Sequence, residues 1–181
     1  MSVVAKLEGI GDVYLAFEKL VEEIGDKKAT SKVLVPAVRE AMKPVLASAQ
    51  SNAPVDTSAL KLSLIIEARR PTKRDRRSKY ITKTDTVIAS VTTASGKKLA
   101  AMSQGKGLLR TRKKLMNMGS TAEQAAAFTG FKNDARAMSQ EFGSSRNPAH
   151  PYLRPALENM AQQTINNLGK ILGKKITDFK R

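Results

Sequence analysis

The segment from Glu141 to Pro155 constrains this chain more than any other. Pro148, Pro151 and Pro155 fall within eight residues, so φ is fixed at three points, three hydrogen-bond donors are lost and the preceding residues are held extended. Gly143 permits a turn that other residues resist. Pro155 suits the first turn of a helix, where its missing amide would find no partner anyway. The segment reads as a stiff connector that launches a final helix. It offers no paired acid and base and no metal cage.

That final helix is the clearest periodic element. Leu157, Ala161, Ile165, Leu168, Leu172, Ile176 and Phe179 form one apolar stripe, weakened by Gly169 and Gly173 at roughly 1 kcal/mol each. Residues 12–24 give an amphipathic helix on Val13, Phe17, Leu20 and Ile24, with Asp12 placed to cap it and Gly25 to stop it. A second helix runs from about Ser31 to Asn52, with Pro36 in its first turn and a kink at Pro44. Leu60, Leu62, Leu64 and Ile66 alternate as a strand, and Val87, Ala89 and Val91 alternate as another. These two would make a long hairpin across 69–83 with a mobile cationic tip. Residues 95–135 read as a flexible, partly helical insertion, with Thr121 placed to cap a short helix. Residues 135–142 read as a third strand or a short helix ending at the Glu-Phe-Gly turn. The expected fold is α+β: a small antiparallel sheet from 60–68, 86–93 and a strand near 137–142, packed against N-terminal helices and the long C-terminal helix. All of it would form one domain over 1–181.

Charge narrows the partners. The chain holds 32 lysines and arginines against 16 acids, a formal net charge of +16. Such a balance attracts nucleic acid, acidic proteins or anionic surfaces. Arg69, Arg70, Lys73, Arg74, Arg76, Arg77, Lys79 and Lys83 crowd one stretch in which Asp75 is the opposing acid. Further cations gather at Lys106, Arg110, Arg112, Lys113 and Lys114, and again at the C-terminus. With no tryptophan and few aromatics, a base-stacking platform is not expected. Cysteine is absent, which excludes disulfides, thiolate metal sites and a catalytic thiol. No apolar run reaches the roughly 18–20 residues that span a bilayer, so no membrane role is expected. The N-terminus lacks the pattern of a signal peptide, which suits a soluble intracellular product.

Candidate chemistry is thin. His150, the one histidine, sits between Ala149 and Pro151 and reads as a loop residue. Glu141 and Glu158 read as a turn acceptor and a first-turn charge on the last helix rather than a catalytic pair. Gly105-Lys106-Gly107 lacks the full spacing of a phosphate loop and reads as a flexible link. Asp56-Thr57 suits a side-chain-bonded turn. Arg154, held between Leu153 and Pro155, can pair with a carboxylate, either Glu141 or an acid on a neighbouring subunit. The basic 69–83 stretch is either a solvated loop or an arm that meets DNA phosphates or an acidic protein surface. Neither catalysis nor a cofactor or metal is expected.

Two blocks carry a family resemblance. Glu141-Phe142-Gly143-Ser144, followed by Pro148-Ala149-His150-Pro151-Tyr152-Leu153-Arg154-Pro155-Ala156, resembles the closing motif of the neck and tail-completion proteins of long-tailed bacteriophages. There the wording is Glu-Phe-Gly-Thr, then Pro-Ala-x-Pro-Phe-Leu-x-Pro-Ala. Pro54-Val55-Asp56-Thr57-Ser58-Ala59-Leu60-Lys61-Leu62-Ser63 is similar to the same family's Ala-Pro-x-Asp-Thr-Gly-x-Leu-x-x-Ser, which joins a long helix to the first strand. Ser58 stands where the family usually has Gly, a strained choice if the turn needs positive φ. Ser144 replaces Thr and Tyr152 replaces Phe, and residues 95–135 have no counterpart in the motif.

The resemblance implies a structural virion protein, made in the host bacterial cytoplasm, at the neck or the head-proximal end of the tail. It would form a ring, six-fold favoured over twelve-fold, and bind head-connector, tail-terminator or tail-tube proteins around the DNA channel. The alternative from composition alone is a basic nucleic-acid-binding protein making nonspecific phosphate contacts.

Overall fold

A computed structural model of the protein describes residues 10–53, 59–130, 136–146 and 148–180. Along the chain run α1 (Ile10–Ile24), α2 (Asp26–Ala29), a π-helical turn (Thr30–Leu34), α3 (Val35–Ala41), α4 (Lys43–Asn52), α5 (Ala59–Ser63) and β1 (Leu64–Arg69). A 3-10 turn (Asp75–Arg77) precedes β2 (Ile88–Thr93), followed by α6 (Gly96–Met102), α7 (Gly105–Asn117), α8 (Ala122–Ala127), α9 (Arg136–Phe142) and α10 (Leu153–Lys180). The strands pair as a small antiparallel sheet. A bond from the Ala94 amide to the Ser63 carbonyl (2.7 Å) carries the ladder one step past both strand ends. The molecule is α+β, as the sequence implied.

Several elements differ from the sequence reading. The stretch near 137–142 is helix α9, not a third strand: Ala137 and Glu141, four residues apart, are both buried, which is helical spacing. Leu60 and Leu62 lie in the single turn α5 rather than in a strand. The Ser63 hydroxyl closes that turn on the Leu60 carbonyl (2.7 Å), and β1 starts only at Leu64. Asp12 sits inside the first turn of α1 rather than ahead of it. Leu157 and Phe179, at the two ends of the α10 stripe, are 51% and 39% exposed. The second helix breaks at Met42, and Pro44 follows in the first turn of α4. The turn expected over Pro54–Ser58, including Pro54, Asp56 and Thr57, lies outside the described residues.

The chain divides into two compact units. One comprises Met1–Val45, Ile66–Ser90 and Glu158–Arg181. Its core is built from Leu20 of α1, Ala29, Val33 and Ala37 of the α2–α3 run, and Leu172 and Ile176 of α10, with Val13, Phe17 and Leu168 packed against them. Alanines at the contact positions let the helices approach closely. The Gly25 amide bonds the Val21 carbonyl (2.9 Å) and ends α1. Exposed ion pairs such as Lys175–Glu40 (3.2 Å) decorate this unit and add little stability.

The other unit comprises Leu46–Ile65 and Val91–Leu157. Leu62, Leu115 and Ala125 are buried together beside Phe128. Gly105-Lys106-Gly107 is no flexible link: it opens α7. A Cβ on Gly107 would stand 2.0 Å from the Ala101 carbonyl oxygen, so only glycine fits this corner between α6 and α7. The Thr111 hydroxyl ties the same corner to the carbonyls of Met102 (3.0 Å) and Gly107 (2.9 Å). Thr121 and Gln124 cap α8 reciprocally, side chain to backbone in both directions.

The closing segment of this unit is organised by one carboxylate. Glu141, in the last turn of α9, is 2% exposed. Its Oε2 accepts from the amides of Tyr152 (2.8 Å) and Leu153 (2.9 Å), and its Oε1 from the Arg154 amide (3.2 Å). These amides open α10, where unpaired donors and the positive end of the helix dipole welcome a negative charge. Gly143 makes the return possible. It adopts φ +79°, and a Cβ there would meet the Ala149 amide nitrogen at 3.1 Å. The His150 amide then bonds the Gln140 carbonyl (2.7 Å), which closes the loop.

Burial alone would push the Glu141 carboxyl up, but the hydrogen bonds from Leu153, Tyr152 and Arg154 outweigh it and hold the carboxyl below its ordinary 4.5. A carboxyl lowered on folding stabilises the protein above its ordinary value and loses that contribution as pH falls below it. Glu141→Gln should therefore cost about 2–4 kcal/mol in urea unfolding at neutral pH, because an amide turns donors toward donors. The gap between variant and wild type should narrow as pH falls from about 4.5. A cost under about 0.5 kcal/mol, or one independent of pH, would contradict the capping role. In α10, a Cβ on Gly173 would meet only Val13 Cγ2 at 3.9 Å. Gly173→Ala should then stabilise by about 0.5–1 kcal/mol, and destabilisation would show that this contact is tighter than drawn.

Candidate functional site

The strands β1 and β2 present the basic stretch between them, and hydrogen bonds give that stretch a definite shape. Arg69, at the end of β1, bonds Glu67 (2.8 Å) and forks onto both carboxylate oxygens of Asp75, with Nη2 3.0 Å from Oδ1. Asp75 also accepts from the Thr72 amide (2.7 Å) and hydroxyl (2.6 Å). The Arg69 guanidinium and the Thr72 donors hold the Asp75 carboxyl far below its usual range, and Asp75 in turn raises Arg69. Ten residues on the pattern repeats, with the Thr82 amide bonded to the Asp85 carboxylate (2.7 Å).

Arg76 crosses the loop. Its Nη1 donates to the carbonyls of Thr82 (2.7 Å) and Lys83 (2.8 Å), and its Nη2 to that of Asp85 (3.3 Å). Arg70 pairs with Asp26 at the start of α2 (2.6 Å), and its guanidinium lowers the Asp26 carboxyl. Arg39 of α3 bonds the Ala68 carbonyl (3.2 Å) and steadies the base of the hairpin.

The eight cations singled out in sequence thus fall into two sets. Arg69, Arg70 and Arg76 are held by partners within the protein. Lys73, Arg74, Arg77, Lys79 and Lys83 are exposed, Lys79 lying over the Tyr80 ring at 5.0 Å, with Tyr80 itself 80% exposed. The outward set can bind a polyanion or an acidic surface through charge, on a loop ordered before any partner arrives. Among the described residues no group of three His, Cys, Asp or Glu could hold a metal. No described helix is long and apolar enough to cross a membrane.

The other motif residues meet elsewhere. Arg154 lies beside Glu141, its Nε 3.2 Å from Oε1 and its Nη2 3.2 Å from the Glu141 carbonyl, so it grips one carboxylate oxygen and one backbone oxygen rather than forking onto both carboxylate oxygens. Its guanidinium stands 5.3 Å from the centre of the Phe142 ring. Tyr152 is the largest fully buried side chain, Leu153 begins α10 and Pro155 lies in its first turn. Pro148 and Pro151 are exposed, and Leu60 and Ser63 build α5. Sequence reasoning missed Thr72, Asp75, Thr82 and Asp85 as organisers of the hairpin. The signal was present as two Thr-x-x-Asp spacings, the wording of a side-chain-bonded turn.

Asp75→Asn should speed amide exchange at Arg76, Arg77 and Ser78 by about tenfold or more, the scale of one lost charge-assisted bond, while β1 and β2 amides keep their rates. Unchanged exchange in the turn would mean that Asp75 does not shape it.

A comparison with protein-family models finds a match over residues 16–107, just over half of the chain, to the family described as "Bacteriophage HK97-gp10, putative tail-component". The matched span covers most of α1, the sheet with its basic hairpin, and the start of α7, and it ends before the Glu141 segment. No curated protein and no solved structure matches the chain. On that match, the chain belongs to the HK97-gp10-like family of bacteriophage tail components.

Proposed function

We propose that this protein is a non-enzymatic structural part of a tailed-phage virion that completes the neck or the head-proximal end of the tail and joins head to tail. The observation that carries the reading is the family match over the sheet and hairpin. The Glu141 segment supports it, because Glu141 and Arg154 act in a helix cap rather than as an acid and base. The protein would assemble as a ring, six-fold in keeping with a tail tube, and meet head-connector, tail-terminator or tail-tube proteins.

The ordered hairpin would be the docking arm, with Lys73, Arg74, Arg77 and Lys79 set against an acidic surface of the adjoining ring. Shape favours this over general DNA binding. Three of the eight cations are already neutralised or tied inside the protein, and a lining that grips DNA tightly would hinder its passage. Contact with DNA in the channel would show as a salt dependence of about 0.9 log unit per phosphate on duplex DNA.

A null allele in the phage or prophage tests the reading. Micrographs should show filled or fillable heads beside tails that are unjoined or of aberrant length. Normal infectious particles from the null would overturn it. In the rescued strain, replacing Lys73, Arg74 and Arg77 with glutamine should block joining while leaving the fold and weak DNA affinity unchanged. A drop in salt-sensitive DNA binding with joining intact would move the arm from protein to DNA.

A further inference from the structure

The carboxylates of this basic chain are unevenly placed. Six of the 16 lie between Glu8 and Asp26, where Lys19 is the one cation. Of the ten acids elsewhere, five are engaged: Glu40 by Lys175, Glu67 and Asp75 by Arg69, Asp85 by Thr82, and Glu141 by the start of α10. On α1, Asp12, Glu18 and Glu22 are exposed and make no ion pair among the described residues. Leu15, Glu18 and Glu22 recur at spacings of three and four, so they share one face, flanked by Tyr14. That face is also apolar, with Tyr14 58% and Leu15 56% exposed.

An opposite face exists on α7. From Thr86 to Ala122 the chain carries seven cations and no acid. Within α7, Thr111 and Leu115 face the core. Lys106, Leu109, Arg110, Lys113 and Met116 share the outer face by the same spacing, with Leu109 63% and Met116 50% exposed. None of its three cations makes an ion pair among the described residues. The α7 face is an exposed apolar pair edged by cations alone, and the α1 face is one edged by Glu18 and Glu22 with Lys19 between them, so the net signs are opposite.

We propose that α7 of one subunit docks on α1 of a second copy of this chain, Lys106, Arg110 and Lys113 against Glu18 and Glu22, with Leu109 and Met116 on Leu15 and Tyr14. Each copy carries both faces, so repeated head-to-tail the contact propagates and closes into a ring when the rotation allows. The inference rests on the ring assembly proposed above and names the surfaces that make it. The hairpin is the weaker candidate for this contact, because its tip offers Tyr80 as its one large exposed apolar side chain.

A charge swap tests it. By sedimentation at low salt the wild-type chain should self-associate with a Kd on the order of 10⁻⁵ M, weakening as salt rises. Lys106→Glu/Arg110→Glu/Lys113→Glu and Glu18→Lys/Glu22→Lys should each stay folded by circular dichroism and each weaken association about a hundredfold, since like charges then face each other. An equimolar mixture of the two should associate again, because each reversed face finds its complement on the other variant. Lys73→Glu/Arg74→Glu/Arg77→Glu, as a control, should associate like wild type.

Wild-type protein that stays monomeric at about 100 μM overturns the proposal. So does normal association of either swap variant, or a mixture that fails to recover. The two readings fail separately. Unjoined heads and tails from the null with no recovery in the mixture would remove only this contact. Normal particles from the null with recovery in the mixture would remove only the head-joining role.

Discussion

Buried between α9 and the start of α10 is a carboxylate that three backbone amides address at once, and much of the C-terminal third depends on it. The opening amides of a helix have no partners inside it. Here Glu141 supplies them from outside, so the long helix begins at a fixed place instead of fraying. Two effects compete at this site. Desolvation works against a buried charge, while amide donors and the helix dipole work for it. The net lowering of the Glu141 carboxyl says that the donors win. Arg154 is the lesser partner, because its side chain is 60% exposed and such pairs contribute little. The three amides carry the cap.

The same principle, charge used as local structure, explains the hairpin. Eight cations in fifteen residues would repel one another in a free loop. Arg69 and Arg76 are instead turned inward, onto Asp75 and onto three carbonyls, and Arg70 is turned onto Asp26. Two Thr-x-x-Asp turns set the curvature at which those arms reach. What remains outward is a smaller, ordered group of cations. An ordered arm loses less conformational entropy on docking than a disordered one would, which favours a defined partner surface.

Much of this was legible in the sequence where the signal was periodic or local. α1, the long C-terminal helix, β2, the Thr121 cap and the glycine at 143 all follow from spacing or turn chemistry. The failures have physical reasons. Leu60, Leu62 and Leu64 alternate and are all buried, yet one helical turn places the first two, because a hydroxyl at Ser63 can close a turn as well as a ladder can. Residues 136–142 carry too few apolar side chains for either period to dominate. Gly107 looked like a hinge because sequence records the absence of a side chain and not the carbonyl that occupies its place. The inward arginines were invisible for a similar reason. Composition counts charges, and only geometry shows which are spent.

Net charge also limits how copies of this chain can meet. At +16 two subunits repel at long range, and a contact that sets exposed carboxylates against cations offsets that repulsion. A two-fold contact pairs a patch with itself. On α7 that would set lysine and arginine against lysine and arginine, and on α1 glutamate against glutamate. A contact of α1 with α7 joins opposite signs, and repeated head-to-tail it generates a ring or a filament. The separation of acid onto α1 and base onto α7 therefore does more than tune solubility. It favours a contact of α1 with α7 over α1 on α1 or α7 on α7.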